Sequence, residues 1–426
     1  MRRFVFLCLT LAGWAPARPD AVRFLRWSDV QSLAALAGAA ARLPDVKDTL
    51  EWDAWIRERD FVIRGRIDHG IEDSISELIL FGTSFSAPPK LATAADAVNA
   101  AGGLTANARA RVEAFVQAID ELDTERFRMV LDFLRRRQIT QDELSPFLSG
   151  NLRRFALEET SLRINQARAD VAVSPETSLL INYAIEDTLR TLKTGHALPA
   201  HLQRIAVIGP GLDLAGDPDV YDFCGPQSIQ PFAILESVLR LDLAAPAEVQ
   251  VTAVDVNPFV LAHLRTSLAK ARAGQRYLLQ LSRPSAAQWN TSAVSYWQHF
   301  GETIGASTPA TQMPPAGIEL RTISVKPQIA ARISVEDLDI VTQTLESVSG
   351  PGFDLVVATN LLGYYNRVEQ TLALTSVARM LGSGGILLAN GIAAGVKLQE
   401  FDDLGVRHVS YSDSGAGDDL AALKRK

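Results

Sequence analysis

The sequence predicts an α/β fold: a mostly parallel sheet with helices on both faces, preceded by an all-α N-terminal domain. Three observations carry that expectation. The chain has 426 residues, more than one hydrophobic core usually organises, so two domains are expected. Up to about residue 200 the apolar residues recur at three- and four-residue steps, the period of a helix. From His201 onward the period changes, and RIAVIG, VQVTAVDV, ARISV, FDLVVATN and GGILLANGI alternate with helical runs. These β-rich runs are too hydrophobic to be one-sided. Strands of that kind are buried on both faces, which implies a parallel sheet between layers of helices.

The N-terminus, MRRFVFLCLTLAGWAPA, joins Arg2 and Arg3 to an apolar run that ends on Ala15-Pro16-Ala17. Residues 1–17 therefore read as a cleaved secretory signal. The apolar run is too short to span a bilayer, so no transmembrane segment is expected in the mature chain. The other reading is a start site assigned too early. The expected compartment divides accordingly: periplasmic or secreted if the signal is real, cytoplasmic if the start is misassigned.

Residues 21–200 are expected to form the helical domain. Ser28 is placed to cap DVQSLAALAGAAARL, Thr105 precedes ANARARVEAFVQAIDEL, and Thr140 heads TQDEL. Each has the residue type that satisfies free N–H groups at a helix start. A last amphipathic segment, SLLINYAIEDTLRTLKTG, closes on Gly195. GTSFSAPPK reads as a loop and AADAVNAAGG as a short helix. Two arginine-rich stretches, one holding Trp52 and Trp55 and the other running from Arg126 to Gln138, are expected to be solvated helix faces. The domain boundary falls near 196–203, and residues 201–426 form the second domain. Within it, 275–317 breaks the alternation and carries Trp289, Tyr296, Trp297, His299 and Phe300. This insertion is either a substrate wall or a packed excursion.

Composition narrows the function classes. Hydrophobic residues make up 47% and charged residues 21%, with a net charge of −7, ordinary values for a soluble globular chain. An acidic total disfavours nucleic acid as partner. The two cysteines, Cys8 and Cys224, and the six scattered histidines have no zinc or disulfide spacing, so no metal is expected.

The strand ends carry the site. In an open α/β sheet the ligand sits beyond the carboxyl ends of the strands. Gly209 and Gly211 directly follow IAVI, where a backbone without Cβ can approach a ligand closely. Leu214 stands where a dinucleotide fingerprint needs its third glycine, and the next helix starts only near Pro231. With no helix N-terminus behind the turn, a pyrophosphate loses its anion site, so NAD is disfavoured. No Walker lysine follows, which disfavours ATP or GTP. Asp255 ends the second strand, where a carboxylate can accept both ribose hydroxyls; its alternative role is the N-cap of NPFVLAHL. Glu336 and Asp337 end a third strand, where an acid can meet an adenine amino group; a simple cap is the alternative for Asp337.

The glycine turn, Asp255, FDLVVATNLLGYY and MLGSGGILLAN together resemble a Rossmann-like class I S-adenosylmethionine-dependent methyltransferase. Phe353 to Asn390 is similar in particular to the chemotaxis-receptor methyltransferases. The resemblance covers the C-terminal half of the chain. It departs from the pattern at Val207, where an acid is usual, at Asp213, where a third glycine is usual, and at Thr359, where the chemotaxis enzymes carry arginine. It implies S-adenosylmethionine as cofactor, with Gly209, Gly211 and Asp213 along the methionine part. Asp255 and its neighbour Val256 would take the ribose, and Asp337 the adenine. Asn360 and Leu361 would line the floor under the sulfonium.

No catalytic base can be identified from the sequence. The weak candidates are Asn360, Tyr364 and Tyr365, with Asp222 on the long loop from Asp213 to Gln230; Asn360 would orient the acceptor rather than take its proton. Cys224 is expected to be a small buried cysteine rather than a nucleophile. The expected activity is methyl transfer to an unknown acceptor, a small molecule or a protein, selected by the helical domain. The alternative is an exported, non-catalytic protein that keeps a degenerate form of the fold for binding.

Overall fold

A computed structural model describes residues 21–34, 46, 48–165, 179–212, 223–346 and 350–426. The expected signal segment, Asp213 and Asp222 lie outside the described residues. The elements run β1 (Ala21–Phe24), α1 (Trp27–Ala34), α2 (Thr49–Phe81), α3 (Ala106–Ala118), α4 (Glu125–Arg136), α5 (Gln141–Asn165) and α6 (Leu179–Thr194). They continue with β2 (Arg204–Ile208), α7 (Gln230–Arg240), β3 (Gln250–Asp255), α8 (Pro258–Arg272), β4 (Tyr277–Pro284), α9 (Thr291–His299) and β5 (Gly305–Thr308). Next come β6 (Ile318–Val325), α10 (Pro327–Ala330), β7 (Ile333–Asp337), β8 (Gln343–Glu346) and β9 (Phe353–Ala358). The chain ends with α11 (Arg367–Met380), β10 (Leu381–Ala389), β11 (Phe401–Ser410) and β12 (Gly417–Arg425).

Seven strands form the main sheet in the order β11-β12-β10-β9-β2-β3-β7. All run parallel except β12, which pairs antiparallel with β10 and β11. The strand order reverses between β2 and β9, which pair as Val207↔Val357. That reversal opens a crevice at the carboxyl ends of the two strands. Ile205, Ala206 and Val207 of β2, like Leu355, Val356 and Val357 of β9, are fully buried, as the uninterrupted apolar runs require. α6, α7 and α8 cover one face of the sheet, and α11 with the first half of α2 covers the other.

The N-terminal region departs from an all-α unit at both ends. Ala21–Phe24 is a strand that pairs antiparallel with β8, so the described chain begins inside the α/β body. α6 belongs to the sheet's own core, where Ile181, Ala184, Ile185 and Leu189 are buried. Periodicity records that a segment is helical and says nothing of which core receives its apolar face. Between these ends, α3, α4, α5 and the second half of α2 enclose a separate helical core around Phe115, Phe127 and Phe133.

α2 joins the two cores. Asp48 caps it by accepting the backbone N–H groups of Leu50 and Glu51, and it continues for 33 residues. Trp52, Ile56 and Ile63 pack against the sheet side; Ile67, Ile71, Ile75 and Leu78 pack in the helical core. The first arginine-rich stretch is therefore not simply a solvated face, since Trp52 is fully buried and donates from Nε1 to Leu25 O at 2.7 Å.

The insertion folds as a three-stranded antiparallel sheet, β4-β6-β5, carrying α9. It extends to Val325 rather than Gly317. Tyr296, Trp297 and Phe300 are buried in the main core, and Trp297 Nε1 donates to Leu281 O at 3.1 Å. This is the packed excursion of the two expectations.

Candidate functional site

The glycine turn and Asp255 come together at the crevice. β2 ends at Ile208, and Gly209 and Gly211 both take left-handed φ values, +64° and +63°. That conformation favours glycine. Gly209 N–H donates to Val254 O at 2.8 Å, closing the turn onto the neighbouring strand. A side chain at Gly209 would also meet Leu361, whose Cδ1 lies 3.4 Å from the place of a Cβ. The turn is thus pressed against the floor residue expected under a sulfonium.

Asp255 is buried. Its Oδ1 accepts the N–H groups of Val256 and Asn257, each at 2.8 Å, and its carboxylate also accepts the Gly211 N–H. Burial pushes its carboxyl up to about 6, against the lowering effect of these backbone donors. The helix-capping alternative for Asp255 does not hold, because Asn257 caps α8, accepting Phe259 N–H at 2.9 Å. The buried carboxylate is left at the strand tip, tied to the glycine turn. Nothing in the local sequence pattern distinguishes the two neighbouring candidates; the hydrogen bond from Phe259 N–H to Asn257 does.

Asp337 ends β7 directly beside Asp255 in the register of the sheet. Its carboxylate is partly exposed and accepts Arg64 Nη1 of α2 at 2.9 Å. Arg64 also bridges Asp60 at 3.0 Å. The adenine candidate is therefore joined to the helical layer, a link between residues 273 positions apart that no local pattern contains. Glu336 is half-buried. Two residues beyond Asp337, Asp339 is fully buried. It accepts Val341 N–H at 3.0 Å and the Thr342 hydroxyl at 2.9 Å, and burial pushes it up to about 7.

On the other side of the crevice, Asn360 follows β9 with φ +57°, a left-handed value that asparagine tolerates better than most side chains. Its N–H donates to Asn390 Oδ1 at 2.6 Å, and Asn390 Nδ2 donates back to its Oδ1 at 2.8 Å. Asn390 was not picked out from the sequence; its place at the end of the strand next to β9 was the available signal. Gln370 of α11 fastens the same rim, donating to the carbonyls of Leu362, Tyr365 and Gly391 and accepting Ala393 N–H. Thr359, where the chemotaxis enzymes carry arginine, is buried and accepts Gln230 Nε2 at 2.9 Å.

The candidate bases separate by environment. Tyr365 is buried, and burial first, then the nearby Asp339 carboxylate, holds its phenol well above the ordinary value. A phenol so placed is a poor proton acceptor. Tyr364 is half-buried and packs against the helical core together with Val256 and Phe259. Tyr364 and Val256 therefore stand where the helical layer meets the strand ends. Cys224 is buried, and burial pushes its thiol up to about 11; it is a packing residue, as thiolate chemistry needs the opposite shift.

A further polar chain reaches this region from the helical layer. Glu125 at the start of α4 pairs with His263 Nδ1 at 2.6 Å, and His263 Nε2 pairs with the Tyr277 hydroxyl at 2.7 Å. The Tyr277 oxygen accepts Ser228 N–H at 3.0 Å, just before α7. Interaction with His263 lowers the Glu125 carboxyl despite its partial burial.

The strand order, with one antiparallel strand set between the last two, is that of the class I S-adenosylmethionine-dependent methyltransferase fold. No protein-family model matches this chain, and neither does any curated protein. Among solved structures, the chain is similar to magnesium protoporphyrin IX methyltransferase from Synechocystis, crystallised with bound S-adenosylmethionine. That match has 11% identity over 58% of this chain and 81% of the other, with a TM-score of 0.27. It is also similar to the N-methyltransferase NodS from Bradyrhizobium japonicum in complex with S-adenosylhomocysteine, at 11% identity over 62% and 97% of the two chains and a TM-score of 0.28. A third is a TehB-like methyltransferase from Corynebacterium glutamicum, at 11% identity over 64% and 96%, again with a TM-score of 0.28. Likenesses at this level carry no argument about function, which rests on the strand-end residues.

Proposed function

We propose that this protein transfers the methyl group of S-adenosylmethionine to an acceptor that enters between the strand ends and the helical layer. One observation carries the reading. At the crevice where strand order reverses, a left-handed glycine turn donates a backbone N–H to a buried carboxylate at the tip of the next strand. A phosphate would be repelled there, whereas a ribose diol offers that carboxylate the donors it can accept. Gly209 and Gly211 lie along the methionine part, and Asp255 with Val256 holds the ribose. Asp337 meets the adenine with Arg64 behind it, and Asn360 and Leu361 form the floor. Asp213 belongs to the same proposal on the motif alone.

A sulfonium methyl is already activated, so the protein's work is alignment of the acceptor and exclusion of water. The reciprocal Asn360–Asn390 pair and the brace from Gln370 give the floor a fixed shape. Tyr364 and Val256, packed against the helical core, support a selecting role for that layer. The closer kinship with chemotaxis-receptor enzymes rests on the motif from Phe353 to Asn390. Among the described residues no helix is long and apolar enough to cross a membrane. N-terminal sequencing of the native protein separates the two proposed compartments, since a chain starting after Ala17 signifies cleavage and export.

Calorimetric titration of the chain from Arg18 onward with S-adenosylmethionine and S-adenosylhomocysteine tests the reading. Binding that is lost in Asp255→Ala supports it. A folded wild-type chain that binds neither sinks it.

A further inference from the structure

Among the described residues, two buried polar atoms at the start of α7 pair with nothing: Gln230 Oε1 and Ser228 Oγ. Gln230 is 1% exposed and Ser228 is fully buried. Buried side-chain carbonyls are nearly always paired, and an unpaired one is destabilising until a donor reaches it. The position of Gln230 is fixed, because its Nε2 donates to Thr359 Oγ1 at 2.9 Å. Thr359 lies two residues beyond the Val207–Val357 pair, which places it beside Gly209 on the adjacent strand. The free carbonyl of Gln230 is thereby held at the glycine turn, on the α7 side of the crevice. Ser228 is held as well, since its N–H is used by the Tyr277 oxygen.

The proposed cofactor has one strong cluster of donors apart from its adenosine: the α-ammonium of its amino-acid arm. We propose that Gln230 Oε1, with the Ser228 hydroxyl beside it, accepts that ammonium and so reads the amino-acid end of the cofactor. The inference rests on the reading of the site as an S-adenosylmethionine site. A neutral amide suits this place: it orients a cation while leaving the arm's own carboxylate unrepelled, and that carboxylate favours the N-terminal end of α7. The delayed start of α7 has a function in this arrangement, since it brings a helix residue to the glycine turn that an immediate helix would have carried past it.

Two nucleosides distinguish this inference from the reading beneath it. S-adenosylhomocysteine carries the amino-acid arm; 5′-methylthioadenosine keeps the adenosine and thioether without ammonium or carboxylate. Calorimetry on the chain from Arg18 should show the wild type preferring the first. In Gln230→Leu, S-adenosylhomocysteine should bind about tenfold more weakly while 5′-methylthioadenosine is unchanged. Ser228→Ala should show a smaller loss of the same pattern. Gln230→Glu should keep or tighten S-adenosylhomocysteine, because it sets a full negative charge against the ammonium. Equal losses of both nucleosides in Gln230→Leu would make the residue a packing element and overturn the assignment. Greater loss in Gln230→Glu than in Gln230→Leu would overturn it too, by assigning the amide to the arm's carboxylate. A wild type that binds the two nucleosides equally keeps the cofactor reading and ends this one; a wild type that binds neither ends both.

Discussion

Asp255 and Asp339 are both buried carboxylates near neighbouring strand ends, and burial raises both, to about 6 and about 7. Their surroundings differ in kind. Asp255 stands at the tip of β3, where its partners are backbone N–H groups that include one from the glycine turn of another strand. Asp339 sits beyond β7 in a closed loop, bonded to Val341 and Thr342, with the Thr342 hydroxyl also 3.0 Å from the Asp60 carboxylate of α2. The first carboxylate is presented at a crevice; the second fastens the helical layer to the sheet. Similar burial and similar shifts therefore do not identify a functional acid. The position of the group relative to the point where strand order reverses does.

The largest expected separation is between alanine variants of the two acids. Asp255→Ala should weaken S-adenosylhomocysteine binding about a hundredfold, the loss of two strong hydrogen bonds to a ribose, and should also lower stability, because the backbone N–H groups of Val256, Asn257 and Gly211 lose their acceptor. Asp339→Ala should leave that binding within about twofold and lower stability by about 1–3 kcal/mol, through the Val341 N–H left unpaired. Denaturation and calorimetry on both variants decide the matter, and a reversed pattern would break the comparison.

Dependence on pH sharpens it. Asp255 must be ionised to accept two hydroxyls, so affinity for S-adenosylhomocysteine should fall as pH drops through about 6. Asp255→Asn should remove that dependence. Asp339 is expected to act on stability alone. Its folded value lies above the ordinary carboxylate value, so the native chain binds the extra proton. Its contribution to stability is complete at low pH and is lost as pH rises towards and through about 7. Urea midpoints across that window should show a smaller decline in Asp339→Asn than in the wild type.

The smallest expected effect concerns Arg64. Its ion pair with Asp337 is partly exposed, and such pairs contribute only about 0.2–1 kcal/mol. Arg64→Leu should therefore lower stability slightly. If Asp337 meets the adenine, cofactor affinity should change by no more than about threefold, as one oriented carboxylate becomes a freer one. An effect as large as that of Asp255→Ala would show that the helical layer controls cofactor binding.

Much of the sheet was legible in the sequence. Runs such as IAVI and LVVA are apolar on every residue, and only a strand buried on both faces requires that. The late start of α7 was legible as well, because Pro231 marks a helix's first turn and the structure begins α7 at Gln230. The strand β1 was not, since AVRF draws its stability from pairing with a strand more than 300 residues later. Tyr365 illustrates the same limit: its neighbour Tyr364 has the same chemistry but is half-buried where Tyr365 is buried. A pair of tyrosines in sequence does not say which ring turns inward.

Local composition by itself determined the core parallel strands, several helix starts such as those of α3 and α7, and the residues at strand tips, because each depends on period and on backbone groups within a few positions. Tertiary structure alone decided which of those residues face one another. Asp255 and Gly211, Asn360 and Asn390, Gln230 and Thr359, and Arg64 and Asp337 are partners from separate elements. Their meeting depends on the order in which strands assemble, which is set by the burial of whole elements and leaves no trace in any short window of the chain.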